Sequence, residues 1–420
     1  MNRPLVIKFG GTSVGSGAAF LRAASIAAEA ARNRPVAVVV SAMAGTTDAL
    51  LGLARTSSVP AREGSQDHLL HTLSERHSGA ARKAVPARLL SGVEDRIRNI
   101  IERLAEAANA TLEDPAARRD EIGSFGERLS AEILADAIAG FGTPAAVAPG
   151  DPIATDGRFG DAGVLAVETR RRAQKYLHPL LNEGTVAVIP GYFGRGPDGA
   201  VSTLGRGGSD LSATVIGRAL GAEEVWILSD VDGVLDADPR LIPDAALIPR
   251  LSYREAGQFA ALGAEVLHPR TTAPAAEARI EVRVASTFNP GSLGTRISDR
   301  EGGPGVRSVA LRRGLSLTHV SPETAGDGVF CCLGADAEGI RALVDGAGVA
   351  AVVCVGAPTD GDLISGLRSL HNANIRPLYA GNTSTGLLFA VAESKAEVAL
   401  RALHSALTPA GAPAEMEEVA

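Results

Sequence analysis

Two glycine-rich segments carry the residue types that hold a phosphate. Lys8-Phe9-Gly10-Gly11-Thr12-Ser13 follows the first apolar run of the chain, and Gly205-Arg206-Gly207-Gly208-Ser209-Asp210 precedes a helical pattern at Leu211 to Leu220. Glycine lets backbone N–H groups approach an anion that a side chain would keep away, and a helix N-terminus adds partial positive charge. Each segment also contains a cation, Lys8 or Arg206. Either segment alone is equally well an ordinary strand-to-helix turn; the two together favour a phosphate site.

Other motif matches compete with this reading. Gly11-Thr12-Ser13-Val14-Gly15 fits the nucleophile elbow of a hydrolase. That elbow normally follows several strands, however, and this one follows the first. Gly194-Arg195-Gly196-Pro197-Asp198-Gly199 fits a dinucleotide fingerprint, but Pro197-Asp198-Gly199 is turn chemistry and strand residues resume at Val201, so a hairpin is expected. No G-x-x-x-x-G-K-[ST] run occurs, which excludes a P-loop kinase. His68, His71 and His77 have loose metal-like spacing within a polar stretch and read as a solvated helical face, so no metal site is expected from them. His268 reads equally as a site residue or as the end of a helix beside Pro269.

The elements that must position these residues follow a strand-helix rhythm. Leu5 to Phe9, Ala18 to Arg32, Val36 to Ser41 and a helix from near Thr47 alternate as in a parallel sheet covered by helices. Leu90, Val93, Ile97, Ile100 and Leu104 recur at helical steps, and a further helix is expected over Phe125 to Ile138. Strand patterns return at Ala145 to Ala148, Thr185 to Ile189, Glu224 to Leu228 and Ile280 to Ala285. The expected first domain is 1–298. A Gly/Pro/charge cluster, Asp299 to Gly305, reads as a linker to an α+β region over 306–410. There, strands are expected at Val306 to Leu311, Val329 to Leu333 and Ala350 to Gly356, and helices at Leu363 to Asn372 and Lys395 to Leu407.

Composition narrows the function classes. The 420 residues are 45% hydrophobic and 21% charged, as in a soluble globular protein of two or three domains. A formal net charge of −7 argues against nucleic-acid binding through a broadly basic surface. No apolar run approaches bilayer length, and Met1 to Phe9 does not read as a signal peptide. Cys331, Cys332 and Cys354 are too few for a disulfide framework and suit a reducing, cytoplasmic setting.

Seven ordered segments then resemble the aspartate kinases of the amino-acid kinase superfamily. They are Val6 to Val14, Ser41 to Thr47, Phe125-Gly126-Glu127, Thr155 to Asp161, Thr203 to Asp210, Ser229 to Val234, and Ala261 to Arg270. The resemblance implies an α/β amino-acid-kinase fold, mainly a parallel sheet between helices, followed by a compact α+β ACT-like regulatory region. It implies transfer of the ATP γ-phosphoryl group to the side-chain carboxylate of L-aspartate, the first step toward lysine, threonine and methionine, with Mg²⁺ as the partner of ATP. By the same likeness, Lys8 and Asp210 are catalytic. Ser41, Thr47, Glu127, Tyr192, Arg206 and Ser209 line the amino-acid site, with Glu127 on the α-ammonium and Arg206 on the α-carboxylate. ATP is met by Lys8, Gly10, Gly11, Ser229, Asp230 and Arg240, the amides of Gly10 and Gly11 supporting Lys8.

The sequence departs from the family pattern at Leu235, where a Tyr is common, and at Asp236-Ala237, where Thr-Thr is usual. In the C-terminal region the resemblance implies paired ACT domains, the site at which lysine or threonine usually inhibits, and a homodimer or larger homo-oligomer formed through them. The first ACT domain is shortened, with about eight residues between Pro322 and Val329, and the second covers about 348–410; no effector-site residue is carried over. The rival readings are a kinase for another acid, such as glutamate or acetylglutamate, and a catalytically silent amino-acid sensor. The latter is expected to have lost Lys8 or Asp210.

Overall fold

The computed structural model describes residues 3–56, 65–110, 114–261, 267, 269–289, 291–300, 303–319, 331–334, 348–383 and 386–408. Two compact units emerge, Met1–Asp232 with Leu267–Asp299, and Gly233–Val266 with Arg300–Ala420. The division differs from a single boundary near 298 because the segment after Asp232 packs with the C-terminal part of the chain.

The first unit runs β1 (Leu5–Phe9), α1 (Gly17–Ala31), β2 (Val36–Val40), α2 (Thr46–Thr56), α3 (Ser65–Ala84), α4 (Ala87–Asn109), α5 (Pro115–Gly123), α6 (Phe125–Gly140), β3 (Ala145–Val147), α7 (Ala166–Tyr176), α8 (His178–Asn182), β4 (Val186–Pro190), β5 (Phe193–Arg195), β6 (Val201–Thr203), α9 (Gly208–Leu220) and β7 (Glu224–Ser229). After β8 (Arg250–Ser252) and α10 (Tyr253–Ala261), which belong to the second unit, it resumes with α11 (Pro269–Ala278), β9 (Glu281–Ser286) and β10 (Thr295–Ser298). Its sheet has the order β3-β4-β2-β1-β7-β9-β10. All these pairs are parallel except β9 with β10.

β1, β2 and β4 are buried along their whole length, which explains why they read as unbroken apolar runs rather than as alternation. Leu5, Ile7 and Phe9 face a core with Phe20, Val93, Phe125 and Leu129. Each such large side chain contributes about 1.5–3 kcal/mol on full burial. α4 buries the expected stripe, Val93, Ile97, Ile100 and Leu104. The G-x-G-x-x-G segment is the expected hairpin, with β5 and β6 antiparallel.

The second unit holds β8 and α10, then β11 (Gly305–His319), β12 (Cys331–Gly334), β13 (Val349–Ala357), α12 (Asp360–Asn372), β14 (Tyr379–Thr383), β15 (Gly386–Ala392) and α13 (Ala396–Leu407). A five-stranded antiparallel sheet, β12-β11-β13-β15-β14, packs on α13. Val352, Phe389, Leu400 and Leu403 form its core, joined by Ala237 and Ile242. Cys354 lies buried in β13, where burial pushes its thiol up to about 12. The stretch Pro322 to Val329 and residue His268 lie outside the described residues.

One expectation fails within the first unit. His68 and His71 are exposed, but His77 is fully buried on α3 rather than on a solvated face. Its Nδ1 meets the carbonyl of Leu73 at 2.7 Å. A histidine can sit on the apolar stripe of a polar-looking helix when its neutral form satisfies a carbonyl one turn back. Among the described residues no group of three or more His, Cys, Asp or Glu is placed to hold a metal.

Candidate active site

Register gathers the site. Phe9 pairs with Val40 and with Leu228, and Val40 pairs with Pro190, so these strand ends form one row. The ladder then runs one residue further: Ser41 donates its N–H to the Phe9 carbonyl, Gly191 to Val40 and Gly10 to Leu228. Gly10, Ser41, Gly191 and Ser229 therefore stand side by side at the C-terminal edge of a parallel sheet. In open α/β sheets that edge is where ligands bind.

Lys8 is one residue back from this edge. Alternation along β1 sends Leu5, Ile7 and Phe9 into the core and turns Lys8 to the other face, where it is only 8% exposed. A cation so enclosed needs a partner. Asp210 supplies it, with Oδ1 at 2.5 Å from Lys8 Nζ. Asp210 stands in the first turn of α9, which starts after Gly207 at φ 72°, the left-handed region that disfavours a Cβ. The N-terminus of α9 thus brings its partial positive charge, Asp210 and Ser209 to the sheet edge together. Ser209 is packed so tightly there that a Cβ on Gly191 would come within 3.0 Å of its Oγ.

The first glycine loop works differently from the sequence expectation. Because the Gly10 N–H is hydrogen-bonded to Leu228, it is not available to a phosphate. Gly11 accepts from Ala44, and a Cβ there would lie 2.9 Å from the Ala42 carbonyl. Glycine at this position lets the loop press against the loop that follows β2. The amide expected to meet an anion is narrowed to that of Gly11.

Glu127, in the first turn of α6, is 3% exposed. Burial pushes its carboxyl group up to about 8, opposed by the N–H groups of Ala42 and of Glu127 itself and by the charge of Arg128. Its Oε2 has no hydrogen-bond partner among the described residues. The helix can approach the loop after β2 because Gly126 has no side chain: a Cβ there would meet Ala42 at 2.6 Å and Thr46 at 3.1 Å. Ser41 and Thr47 flank those two residues. Tyr192 has φ 74°, a strained backbone for a bulky residue, held by its N–H donating to Ser212 Oγ and its carbonyl accepting from Leu204. Its hydroxyl is hydrogen-bonded to the Thr203 side chain, and its pKa is raised by burial and by the nearby Glu127 and Asp120.

Arg206 is exposed on the loop before α9 and has no ion-pair partner among the described residues. Ser229 closes β7 and Asp230 is exposed after it. Arg240 lies in the second unit, its guanidinium forked onto both carboxylate oxygens of Asp238. The departures at 235–237 belong to the packing of that unit. Asp236 is 6% exposed, accepts the Ala246 N–H at 2.8 Å and lies 3.1 Å from His404 Nε2 on α13, while Ala237 joins the apolar core.

The sequence reading missed Asp120. It is 1% exposed near the end of α5 and accepts three hydrogen bonds, from the Gly160 N–H at 2.7 Å, the Thr203 N–H at 2.7 Å and Thr203 Oγ1 at 2.9 Å. A carboxylate between an Arg pair and the later Phe-Gly-Glu has no distinguishing sequence pattern.

A sheet edge with an enclosed Lys–Asp pair, a helix N-terminus and a sequestered carboxyl group suits an anionic cosubstrate and a zwitterion. The sequence pattern of the amino acid kinase family matches residues 3–286. The chain belongs to the amino acid kinase family. Among relatives in this family, chloroplastic aspartokinase 3 of Arabidopsis thaliana is 35% identical over 328 residues, covering 75% of this chain and 57% of that protein. Lysine-sensitive aspartokinase 3 of Escherichia coli (strain K12) is 35% identical over 326 residues, covering 76% and 69%. The match thus spans little more than half the length of the Arabidopsis relative. The solved structure of E. coli aspartokinase III in complex with aspartate and ADP superposes with a TM-score of 0.75 at 29% identity, over 96% of this chain and 99% of that one. Its complex with lysine and aspartate gives 0.77 at 28% identity, with the same coverage. This family member is therefore a mixed α/β protein with a mainly parallel sheet, followed by an antiparallel ACT-like region.

Proposed function

We propose that the chain transfers the γ-phosphoryl group of ATP to the side-chain carboxylate of L-aspartate, giving 4-phospho-L-aspartate and ADP. The observation that carries this reading is the Lys8–Asp210 pair at the sheet edge, beside a wall that contains the buried Glu127. It is supported by the likeness to proteins named aspartokinases and to one solved with aspartate and ADP.

In this reaction a carboxylate oxygen bonds to the γ-phosphorus while the bond from that phosphorus to the β–γ bridging oxygen breaks, leaving ADP. The nucleophile is already ionised at neutral pH, so no general base is required. Lys8 neutralises charge on the moving phosphoryl group, and Asp210 fixes its ammonium in place. Glu127 receives the α-ammonium, and Arg206 offers a planar fork to the α-carboxylate. Ser41, Thr47, Tyr192 and Ser209 line the amino-acid side. Gly11, Ser229 and Asp230 serve ATP, and Gly10 shapes the loop. Mg²⁺ supplies charge neutralisation on the ATP phosphates. When bound with ATP it would be held mainly by phosphate and water.

The proposal extends to a catalytic domain over 1–298 and an ACT-like region over 306–410, with lysine or threonine as effector and a homo-oligomer formed through that region. The lysine complex of the E. coli enzyme supports the effector. Among the described residues no helix is long and apolar enough to cross a membrane; a cytoplasmic setting is part of the proposal. Hydroxylamine traps an acyl phosphate as the hydroxamate. Incubation with ATP and aspartate, glutamate or acetylglutamate should give hydroxamate from aspartate alone. Signal from another acid replaces the substrate, and no signal from any leaves the sensor reading.

A further inference from the structure

Asp120 lies outside every segment assigned to catalysis or binding, yet from α5, the helix that leads into α6, its side chain grips the strand and loop on the Arg206 side of the amino-acid site. On one side its carboxylate holds Thr203 through both N–H and Oγ1, and it holds Gly160 through the same Oδ2 that accepts the Thr203 N–H. Thr203 ends β6 and is followed by the loop that carries Arg206. That loop is clasped further: the Ala162 N–H donates to the Thr203 carbonyl at 2.9 Å, and Arg270 bonds the carbonyls of Leu204 and Ala162. On the other side, Asp120 stands on α5, one turn before Ser124, where α5 passes into α6, so its side chain ties Thr203 and Gly160 to the helix that leads to Glu127. Glu127 stands in the first turn beyond that junction. Tyr192 links the two sides, since its hydroxyl bonds Thr203 and it lies close enough to Glu127 to feel its charge.

The chemistry of the residue fits this place. Three donors, two from the end of β6 and one from the loop at Gly160, converge on one buried side chain, and the two oxygens of a carboxyl group offer acceptor sites enough for all of them. An apolar residue here would leave two loop N–H groups unsatisfied and free the end of β6.

We infer that Asp120 is the positioning residue that fixes the Arg206 loop relative to Glu127, and so sets how the α-carbon of the amino acid is held and where its side-chain carboxylate points. The inference rests on the aspartate reading. Asp120 acts through Thr203 and Gly160 from its place on α5.

Steady-state kinetics of Asp120→Ala and Asp120→Asn test it, with aspartate and ATP varied separately. Misplacement of about 1 Å at a reacting centre can cost about a hundredfold, so Asp120→Ala should raise the KM for aspartate by about tenfold or more and lower kcat. The KM for ATP should stay within about twofold. Asp120→Asn retains an acceptor oxygen for the two N–H groups and should recover most of the loss. Equal changes in both KM values, or an unchanged KM for aspartate in a folded Asp120→Ala, overturns the assignment. If Asp120→Ala does not fold, Thr203→Val removes the Oγ1 bonds to Asp120 and to the Tyr192 hydroxyl, and Tyr192→Phe removes the second alone: a rise in the aspartate KM larger in Thr203→Val than in Tyr192→Phe supports the inference, and equal changes overturn it. A wild-type protein that makes no acyl phosphate from aspartate sinks the aspartate reading and this inference with it. A normal wild type with unmoved variants sinks the inference alone.

Discussion

Lys8 Nζ and Asp210 Oδ1, 2.5 Å apart, join the C-terminal end of a buried parallel strand to the first turn of α9. The pair fixes a cation where its own strand would otherwise bury it uncompensated, and turns the helix N-terminus toward the same edge. Lys8→Met keeps the stem volume and removes the charge. Losing one preorganised donor of this kind costs about 10²–10³ in kcat, and turnover should fall at least that far with circular dichroism unchanged. A folded Lys8→Met with near-normal kcat would falsify the phosphoryl-transfer role.

Arg206 makes a separate prediction because it is exposed and carries no ion pair among the described residues. Its removal should leave the fold intact. Charge-assisted hydrogen bonds contribute about 1.5–3 kcal/mol, so Arg206→Ala should raise the KM for aspartate by about 10- to 100-fold and leave the KM for ATP nearly unchanged. Arg206→Lys should recover little, since an ammonium cannot make the paired bonds of the planar fork. Equal losses for both substrates would remove Arg206 from the carboxylate.

Much of the first unit was legible in the sequence: β1, β2 and β4, buried on both faces, leave continuous apolar runs, β7 and β9 leave shorter apolar stretches that begin at a Glu, and all five stand within a residue or two of their expected positions. The helix of Ala87–Asn109 was legible from its stripe. α7 was not, since only Thr169 and Ala173 of its eleven residues are buried and its sequence, AVETRRRAQKY, is strongly polar. At the site, the residues proposed to meet the ligands sat in motifs, whereas Asp120, which holds Thr203 and Gly160, did not. Gly10 looked like a phosphate amide, but its N–H extends the β1–β7 ladder, a matter of register that spacing does not reveal. Asp120 gathers bonds from Gly160 and Thr203, positions distant in the chain that only the fold brings together.

Glu127 should make aspartate binding proton-linked. Burial raises its carboxyl group from 4.5 to about 8, so the empty site holds it protonated at pH 7, and an arriving α-ammonium favours the ionised form. Binding at pH 7 should then release close to one proton, and at pH 9 almost none. Calorimetric titration with aspartate in two buffers of different ionisation enthalpy measures the number directly. Glu127→Gln should bind aspartate more weakly and release none; a buffer-independent enthalpy for the wild type at pH 7 would remove the link. The same shift has a sign for stability. The folded state binds the extra proton between pH 4.5 and about 8, so this group's contribution falls as pH rises through that window.

His77 acts in the opposite direction. Complete burial pushes its imidazole down from 6.5 to about 4, against the hydrogen bond to the Leu73 carbonyl that favours the charged form. The unfolded chain therefore binds a proton that the folded one excludes, and stability is lost as pH falls from about 6.5 toward 4. At 1.36 kcal/mol per pKa unit, the loss between pH 7 and pH 5 comes to about 2 kcal/mol, with the full effect near 3 kcal/mol. Urea unfolding of the wild type and of His77→Leu at pH 7 and pH 5 isolates this contribution, because every other titrating group is common to both proteins. The leucine variant should lose less stability over that interval by about 2 kcal/mol, whichever protein is the more stable at pH 7. Parallel losses in the two proteins would mean that His77 is charged within the fold, and would require an acceptor for its Nε2, which has none among the described residues.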